Sequence, residues 1–390
     1  MVSRPVWLTR LLTGWKSAPI VWLTGVRRVG KTVLASAVGE SEFLNCDLPS
    51  TARRLRDPEE FYRSLRLPLV VFDEIHQLPD PSLVLKIGAD AFPKLKILAT
   101  GSSTLAATQK FRDSLAGRKR NVELFPVLAE ELPTFGIANL RDRLLKGGLP
   151  RALLGHAHDP AFYAEWLDSY FARDVQELFR LNKRGAFLRF VELVLRQSGG
   201  MLEVTSMGKH AGISRPTAMA WLDVLQITHV AHLVRPYAEG GRREIVAQPK
   251  LYGFDTGFVS YVRGWDSLRP EDCGLLWEHL VLDTLRSIPI DPIMFWRDKE
   301  QREVDFVLPR GHKKVDIIEC KWDVDAFELR GLSAFRENYP QGRNLIVSPQ
   351  VAKSYVRQCK QFNLEYVAVQ SLREALTAAT HHPLRRGGTL

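Results

Sequence analysis

Eight consecutive residues, Gly25-Val26-Arg27-Arg28-Val29-Gly30-Lys31-Thr32, have the types and spacing to hold a polyphosphate. The two glycines let backbone N–H groups turn inward around phosphate oxygens. Lys31 is placed to reach the terminal phosphates, and the Thr32 hydroxyl can hold Mg²⁺. Val33 carries the loop into a short apolar helix, Val33-Leu34-Ala35. The apolar run Pro19-Ile20-Val21-Trp22-Leu23-Thr24 before the loop reads as a buried strand. A second apolar run, Leu69-Val70-Val71-Phe72, ends in Asp73 and Glu74. Asp73 can coordinate the same Mg²⁺ and Glu74 can polarise an attacking water, so the two motifs together predict ATP binding and hydrolysis. A third run, Lys96-Ile97-Leu98-Ala99-Thr100, ends at Gly101-Ser102-Ser103. A polar residue there would either sense the γ-phosphate from between the first two motifs or simply make the turn.

A second group with chemical potential lies toward the other end of the chain. Glu303-Val304-Asp305 and Val315-Asp316-Ile317-Ile318-Glu319-Cys320-Lys321-Trp322 read as neighbouring strands. Side chains alternate along a strand, so Glu319 and Lys321 share a face, and Asp305 shares one with Glu303. Two carboxylates converging with a lysine can bind Mg²⁺ and orient a water, the arrangement of metal-assisted phosphodiester cleavage. The plainer alternative is a surface ion pair, which stabilises little.

Between these groups, Thr205 to Thr217 reads as a helix-turn-helix. Ser206 and Ser214 cap successive helices around Gly212, and Ala218, Trp221, Leu222 and Leu225 form one apolar stripe. Arg215 and Thr217 fall at the exposed start of the second helix. Strands are expected at Val230–Tyr237 and Glu244–Ala247, with Glu239-Gly240-Gly241 turning between them and Arg242 and Arg243 just beyond. That is a winged helix with a basic wing, meeting either DNA phosphates or a protein partner.

The loop, Phe72-Asp73-Glu74-Ile75-His76 and Thr100-Gly101-Ser102-Ser103 resemble the AAA+-like P-loop ATPases, in particular a large prokaryotic family with an uncharacterised C-terminal region. Ser114-Leu115-Ala116-Gly117-Arg118 and Gly147-Gly148-Leu149-Pro150 extend the resemblance. It implies that Arg118 is an arginine finger for a neighbouring subunit's ATP, within an oligomer whose implied number is six. The same arginine also sits in a basic cluster, Arg118-Lys119-Arg120, that would suit solvent or DNA. The resemblance further implies that Pro150 packs on adenine; an ordinary loop before a helix is the alternative. His76 stands before Gln77 where that family carries Asp-Glu-Ile-Gln, and reads as a tolerated variation. The C-terminal segment resembles the PD-(D/E)xK restriction-endonuclease-like superfamily, with Asp305 and Glu319-Cys320-Lys321 on its motif and Glu278 as the additional acid. This implies a metal set of Glu278, Asp305 and Glu319, in a module that cuts DNA or only binds it.

These residues need an α/β chain of several modules to position them. The expected boundaries are a P-loop ATPase core at 1–124, a helical lid and connector at 125–198, a winged helix at 199–264, a nuclease-like α/β domain at 265–378 and a flexible tail at 379–390. A length of 390 residues exceeds one ordinary core, and 45% hydrophobic with 25% charged residues is a globular composition. The net charge of +10 favours nucleic acid or another acidic partner. Four dispersed cysteines indicate neither a zinc site nor a disulfide framework and fit a reducing cytoplasm. No apolar run is long enough for a membrane span, and the first residues lack a signal-peptide core. The expected whole is a DNA-binding ATPase using ATP and Mg²⁺. The alternative is a slow nucleotide-controlled switch that gates a protein partner or the nuclease-like module.

Overall fold

The structure is a computed structural model that describes residues 2–101, 113, 115–176, 183–238, 248–311 and 313–377. Ser102, Ser103, Ser114, Arg242, Arg243, the strand expected at 244–247 and the tail expected at 379–390 lie outside the described residues.

Helix α1 (Pro5–Gly14) leads into strand β1 (Ile20–Thr24), the short helix α2 (Lys31–Ala35) and strands β2 (Glu42–Asn45), β3 (Leu69–Asp73), β4 (Lys96–Thr100) and β5 (Lys119–Glu123). These strands form one sheet in the order β2-β3-β4-β1-β5, with every pairing parallel. A parallel sheet is covered on both faces, which is why β1 and β3 are apolar up to their last residue rather than alternating with polar residues. Val21, Leu23, Val71 and Leu98 pack with Trp7 and Leu11 of α1 and Leu34 of α2. Ile20, Trp22, Val70 and Phe72 pack on the other face, under helices α3 (Pro49–Arg54), α4 (Pro58–Ser64) and α5 (Pro81–Ala91). The strand order brings the loop after β1, Thr100 at the end of β4 and Asp73 at the end of β3 to one edge of the sheet. Arg118 precedes β5 at the opposite edge, where its carbonyl accepts from Ile20 N–H at the start of β1 (3.2 Å).

A helical stretch follows: α6 (Leu140–Lys146), α7 (Pro150–Leu153) and α8 (Pro160–Tyr170), which runs into a single π turn (Phe171–Gln176), then α9 (Arg184–Arg196), α10 (Val204–Ala211) and α11 (Arg215–Ile227). Gly212 takes φ +72° to end α10, and the Ser214 hydroxyl caps α11 by accepting from Thr217 N–H (3.3 Å). Trp221 of α11 stacks edge-on against Phe187 and Phe190 of α9, fixing the pair of helices on a third.

The second sheet has nine strands: β6 (Gly200–Met201), β7 (Ala231–Pro236), β8 (Lys250–Gly253), β9 (Met294–Arg297), β10 (Glu303–Pro309), β11 (Val315–Cys320), β12 (Asn344–Val347), β13 (Tyr355–Cys359) and β14 (Phe362–Val367). Strand β7 pairs with Lys250–Gly253. Strand β7 also pairs in parallel with β9 through Arg235↔Met294, so one sheet runs across the boundary expected at 264/265. The physical reason is edge satisfaction: β7 alone would leave a row of backbone groups unpaired. Helices α12 (Thr256–Arg263) and α13 (Pro270–Arg286) lie on one side, with Trp277, Leu280 and Val281 of α13 packed on Phe306 and Ile318. Helix α14 (Leu329–Asn338) covers the other face, and α15 (Leu372–Thr377) closes the described chain. No helix among the described residues is long and apolar enough to cross a membrane.

Candidate functional site

The phosphate loop has the backbone its glycines suggest. Gly25 sits at φ +134°, and a side chain there would put Cβ 2.4 Å from the Leu124 carbonyl oxygen. Gly30, at φ +103°, delivers the chain into α2. Lys31 Nζ donates to the carbonyls of Gly25 (2.9 Å) and Val26 (3.1 Å), so its ammonium is held at the mouth of the loop by neutral partners. Burial lowers the Lys31 pKa, with Glu74 and Asp174 pulling the other way. The Thr32 hydroxyl donates to Asp73 Oδ2 (2.9 Å).

Thr100 closes the arrangement. Its hydroxyl donates to Asp73 Oδ1 (2.6 Å) and accepts from Glu74 N–H (3.0 Å). The polar residue between the two motifs is therefore the last residue of β4 itself. Glu74 takes the left-handed conformation (φ +54°), and His76 Nδ1 lies 3.2 Å from its Oε2. His76 is thus in contact with the acid proposed to polarise water.

Two cavities meet at Glu74 and Lys31. One, of about 710 Å³, has the apolar wall Val33, Leu34, Phe135, Pro150 and Leu154 beside Gly30 and Thr32. Pro150 thus stands across from the loop, at the start of α7, and with Phe135 it brings residues beyond 124 into the site. The other, of about 140 Å³, lies between Arg27, Lys31, Glu74, His76 and Asp174. The donor set fits a nucleotide with Mg²⁺: a loop bounded by two positive-φ glycines, a lysine held by carbonyls, a hydroxyl-bonded aspartate and an apolar wall for a base.

Several residues in this site carry no motif signature. Arg4 donates to the Val29 carbonyl (3.4 Å), the Phe125 carbonyl (3.0 Å) and Glu131 (2.6 Å), tying the loop to the connector from a buried position. Arg27 pairs with Asp174 of the π turn (2.7 Å), and Arg28 with Glu165 of α8 (2.7 Å). Trp166 Nε1 donates to the Arg27 carbonyl (3.0 Å). One guanidinium nitrogen of Arg28, Nη1, is buried without a hydrogen-bond partner, a spare donor beside the loop. Arg118 makes a two-pronged pair with Asp90 at the end of α5 (2.6 and 3.1 Å). It stands at the sheet edge opposite its own loop. Arg215 is exposed, whereas Thr217 turns its hydroxyl back to Ser214 Oγ (2.8 Å) as part of the cap.

At the second acid cluster the strands meet as alternation predicts, with a departure. The register shifts on β10 between Val304 and Val307, and Asp305 accepts from Cys320 N–H (2.7 Å). Lys321 Nζ lies 2.8 Å from Glu319 and 3.5 Å from Asp305. Burial, reinforced by Asp305, pushes the Glu319 carboxyl up to about 8. Of the expected metal set Glu278–Asp305–Glu319, Asp305 and Glu319 meet at Lys321. Glu278 instead accepts from Lys250 (2.9 Å) and from the Tyr252 hydroxyl (2.5 Å), both on β8. Among the described residues no three His, Cys, Asp or Glu side chains are arranged to hold a metal ion. The donor set here does not fit a divalent ion, because its carboxylates are already bonded to ammonium groups.

A parallel sheet with a phosphate loop after β1 and paired acids two strands away, at the end of β3, is similar in arrangement to the P-loop ATPase domains of AAA type. Residues 17–132 match the family described as AAA domain. Residues 137–269 and 273–367 match two families described as domains of unknown function (DUF8612 and DUF4143). Uncharacterized proteins of Mycobacterium tuberculosis and Mycobacterium bovis are each 28% identical over 320 residues, spanning 78% of this chain and 71% of theirs. Among solved structures, a DNA replication initiation factor is similar at 15% identity, covering 57% of this chain and 86% of its own, with a TM-score of 0.28. A signal transduction ATPase with numerous domains from Pyrococcus horikoshii is similar at 14% identity, covering 74% of this chain and 45% of its own, with a TM-score of 0.27.

Proposed function

We propose that this chain is a DNA-binding AAA+-type ATPase, working as an oligomer, that couples ATP hydrolysis to remodelling or movement of DNA. The observation that carries the ATPase part is the meeting of Lys31, Thr32, Asp73 and Glu74 at one sheet edge, beside an apolar cavity closed by Pro150. Bound there, Mg²⁺ would be held by Thr32 and Asp73 and would supply positive charge against the phosphates. Lys31 would exchange its carbonyl partners for phosphate oxygens, a gain for an ammonium because the new bonds are charge-assisted. Glu74 would accept the proton of the attacking water once His76 yields it. Arg118 would serve a neighbour's site.

DNA binding is supported by the net charge of +10 and by exposed Arg215 at the start of α11. In this reading α10 and α11, with strands β7 and β8, act as a winged helix, and the C-terminal module is a second contact. The test is ATP turnover measured with duplex, single-stranded and branched DNA, beside particle imaging for rings. A rate that DNA leaves unchanged, together with no DNA binding at low salt, sinks the proposal.

A second reading, a slow switch, is favoured by one observation: Arg27 and Arg28 tether the loop to α8 and its π turn. Phosphates compete with Asp174 and Glu165 for those guanidiniums, so nucleotide would loosen α8 from the loop. This reading expects tightly retained nucleotide and little turnover. Glu74→Gln separates the two: a motor keeps ATP and loses movement of DNA, whereas a switch stays locked in its ATP-bound response.

A further inference from the structure

The C-terminal acid cluster contains a residue that no motif predicts. Lys250 lies on β8, a strand of the helix-turn-helix unit, yet its side chain crosses the shared sheet and enters the cluster with 4% of its surface exposed. Its ammonium stands 2.9 Å from Glu278 and 2.5 Å from Glu303, and sits over the Phe295 ring at 5.6 Å. Tyr252, two residues on along the same face, donates to the same Glu278 oxygen. Lys321 answers the remaining two acids, Asp305 and Glu319. Four carboxylates thus share two ammonium groups, and Arg297 Nε lies 3.6 Å from the other Glu303 oxygen.

We propose that Lys250 is a built-in cation that occupies this acid cluster and bars divalent metal ions from it. An ammonium fixed by two part-buried carboxylates offers single charge and hydrogen bonds where a divalent ion needs bare oxygens. A metal entering between Glu278, Glu303 and Asp305 must first expel that ammonium, whose side chain is only 4% exposed. The neighbours reinforce this. Burial works against the charge on Lys250, but Glu278, Asp305 and Glu303 outweigh it and hold its pKa above the ordinary lysine value. Because β8 belongs to the sheet of the helix-turn-helix unit, the plug is supplied by one module to the acids of the other. The inference concerns a different site from the nucleotide loop and stands whether or not the ATPase reading does.

The experiment uses the full chain, free of nucleotide, with Mn²⁺ alone as the probe, followed by spin-resonance titration and thermal unfolding. Binding that Asp305→Asn abolishes is assigned to the cluster. The wild type should show none. Lys250→Ala should gain a site at least ~10-fold tighter than any such binding in the wild type. Saturating Mn²⁺ should then raise its Tm by about 4 °C or more, and Lys250→Ala/Asp305→Asn should lose the rise. Lys250→Gln, which keeps the volume and a donor but not the charge, carries the same test should the alanine variant not fold. Two outcomes overturn the proposal: Asp305-dependent Mn²⁺ binding in the wild type at comparable affinity, or folded Lys250 variants that gain no site.

Discussion

The two acid-bearing sites of this chain begin from the same materials, carboxylates at the ends of strands beside a lysine, and reach opposite electrostatic ends. At the nucleotide loop, Asp73 is held by two hydroxyls, of Thr32 and Thr100, and Lys31 by two carbonyls. At the C-terminal cluster, Glu278 and Glu303 are bonded to Lys250, and Glu319 and Asp305 to Lys321. A hydroxyl orients a carboxylate and leaves its charge available to a cation. An ammonium orients it and cancels the charge. The lesson is that the presence of acids and a lysine does not define a metal site; what matters is which atoms already hold the acids.

The sharpest way to break this comparison is at Glu74. Glu74→Gln should lower kcat by about 10²–10⁴-fold while ATP is still bound, measured as turnover beside equilibrium nucleotide binding. Intact turnover would show that the open site is not the one doing chemistry. Next in size is Arg118→Ala, with an expected loss on the order of 10³-fold in kcat. Mixing it with Glu74→Gln should restore part of the rate, because each variant supplies what the other lacks across a subunit boundary. No recovery in mixed particles would return Arg118 to its pair with Asp90 alone.

A smaller effect concerns a buried acid outside both sites. Asp283 is raised by burial to about 8, against the pull of Arg143 and Arg286, and its Oδ2 has no hydrogen-bond partner. A carboxyl whose folded pKa is raised binds its proton more tightly in the folded state. Its contribution to stability is therefore full at low pH and is lost as pH rises from 3.8 toward 8. Asp283→Asn should flatten the decline in Tm across that window and raise Tm at pH 8; an unchanged profile would place the burden elsewhere. The smallest expected change is at the loop's tether. Arg27→Ala should shift the KM for ATP by about 5-fold or less with kcat nearly kept, since a part-exposed pair contributes about 1 kcal/mol or less.

Much of the nucleotide site was legible because its parts are contiguous in sequence. The loop needs glycines at two fixed places, and Asp73-Glu74 closes an unbroken apolar strand. Thr100 is the polar end of a buried strand, directly before the Gly101-Ser102-Ser103 turn where a γ-phosphate sensor was expected. The helices around Gly212 were legible for the same local reason, a left-handed glycine followed by a capping serine. Arg4, Asp174 and Lys250 were not, since each acts at a distance set only by tertiary packing. Lys250 is separated from Glu303 by most of a module, and neither neighbour in its sequence hints at a buried cation. The strand Lys250–Gly253 was not legible either, because its pairing to β7 is set across the sheet rather than by local pattern.

The parallel pairing of β7 with β9 carries a practical consequence for anyone wishing to divide this protein. A cut near residue 264 looks natural on paper, yet it would expose two raw strand edges, each able to recruit a copy of itself. The separated halves should precipitate or form ladders of mixed size, whereas a fragment running from Arg184 to Thr377 keeps the seam intact and should stay dispersed. The seam also means that a pull applied at the helix-turn-helix is felt along the backbone bonds of β9 and β10, with no slack linker to absorb it.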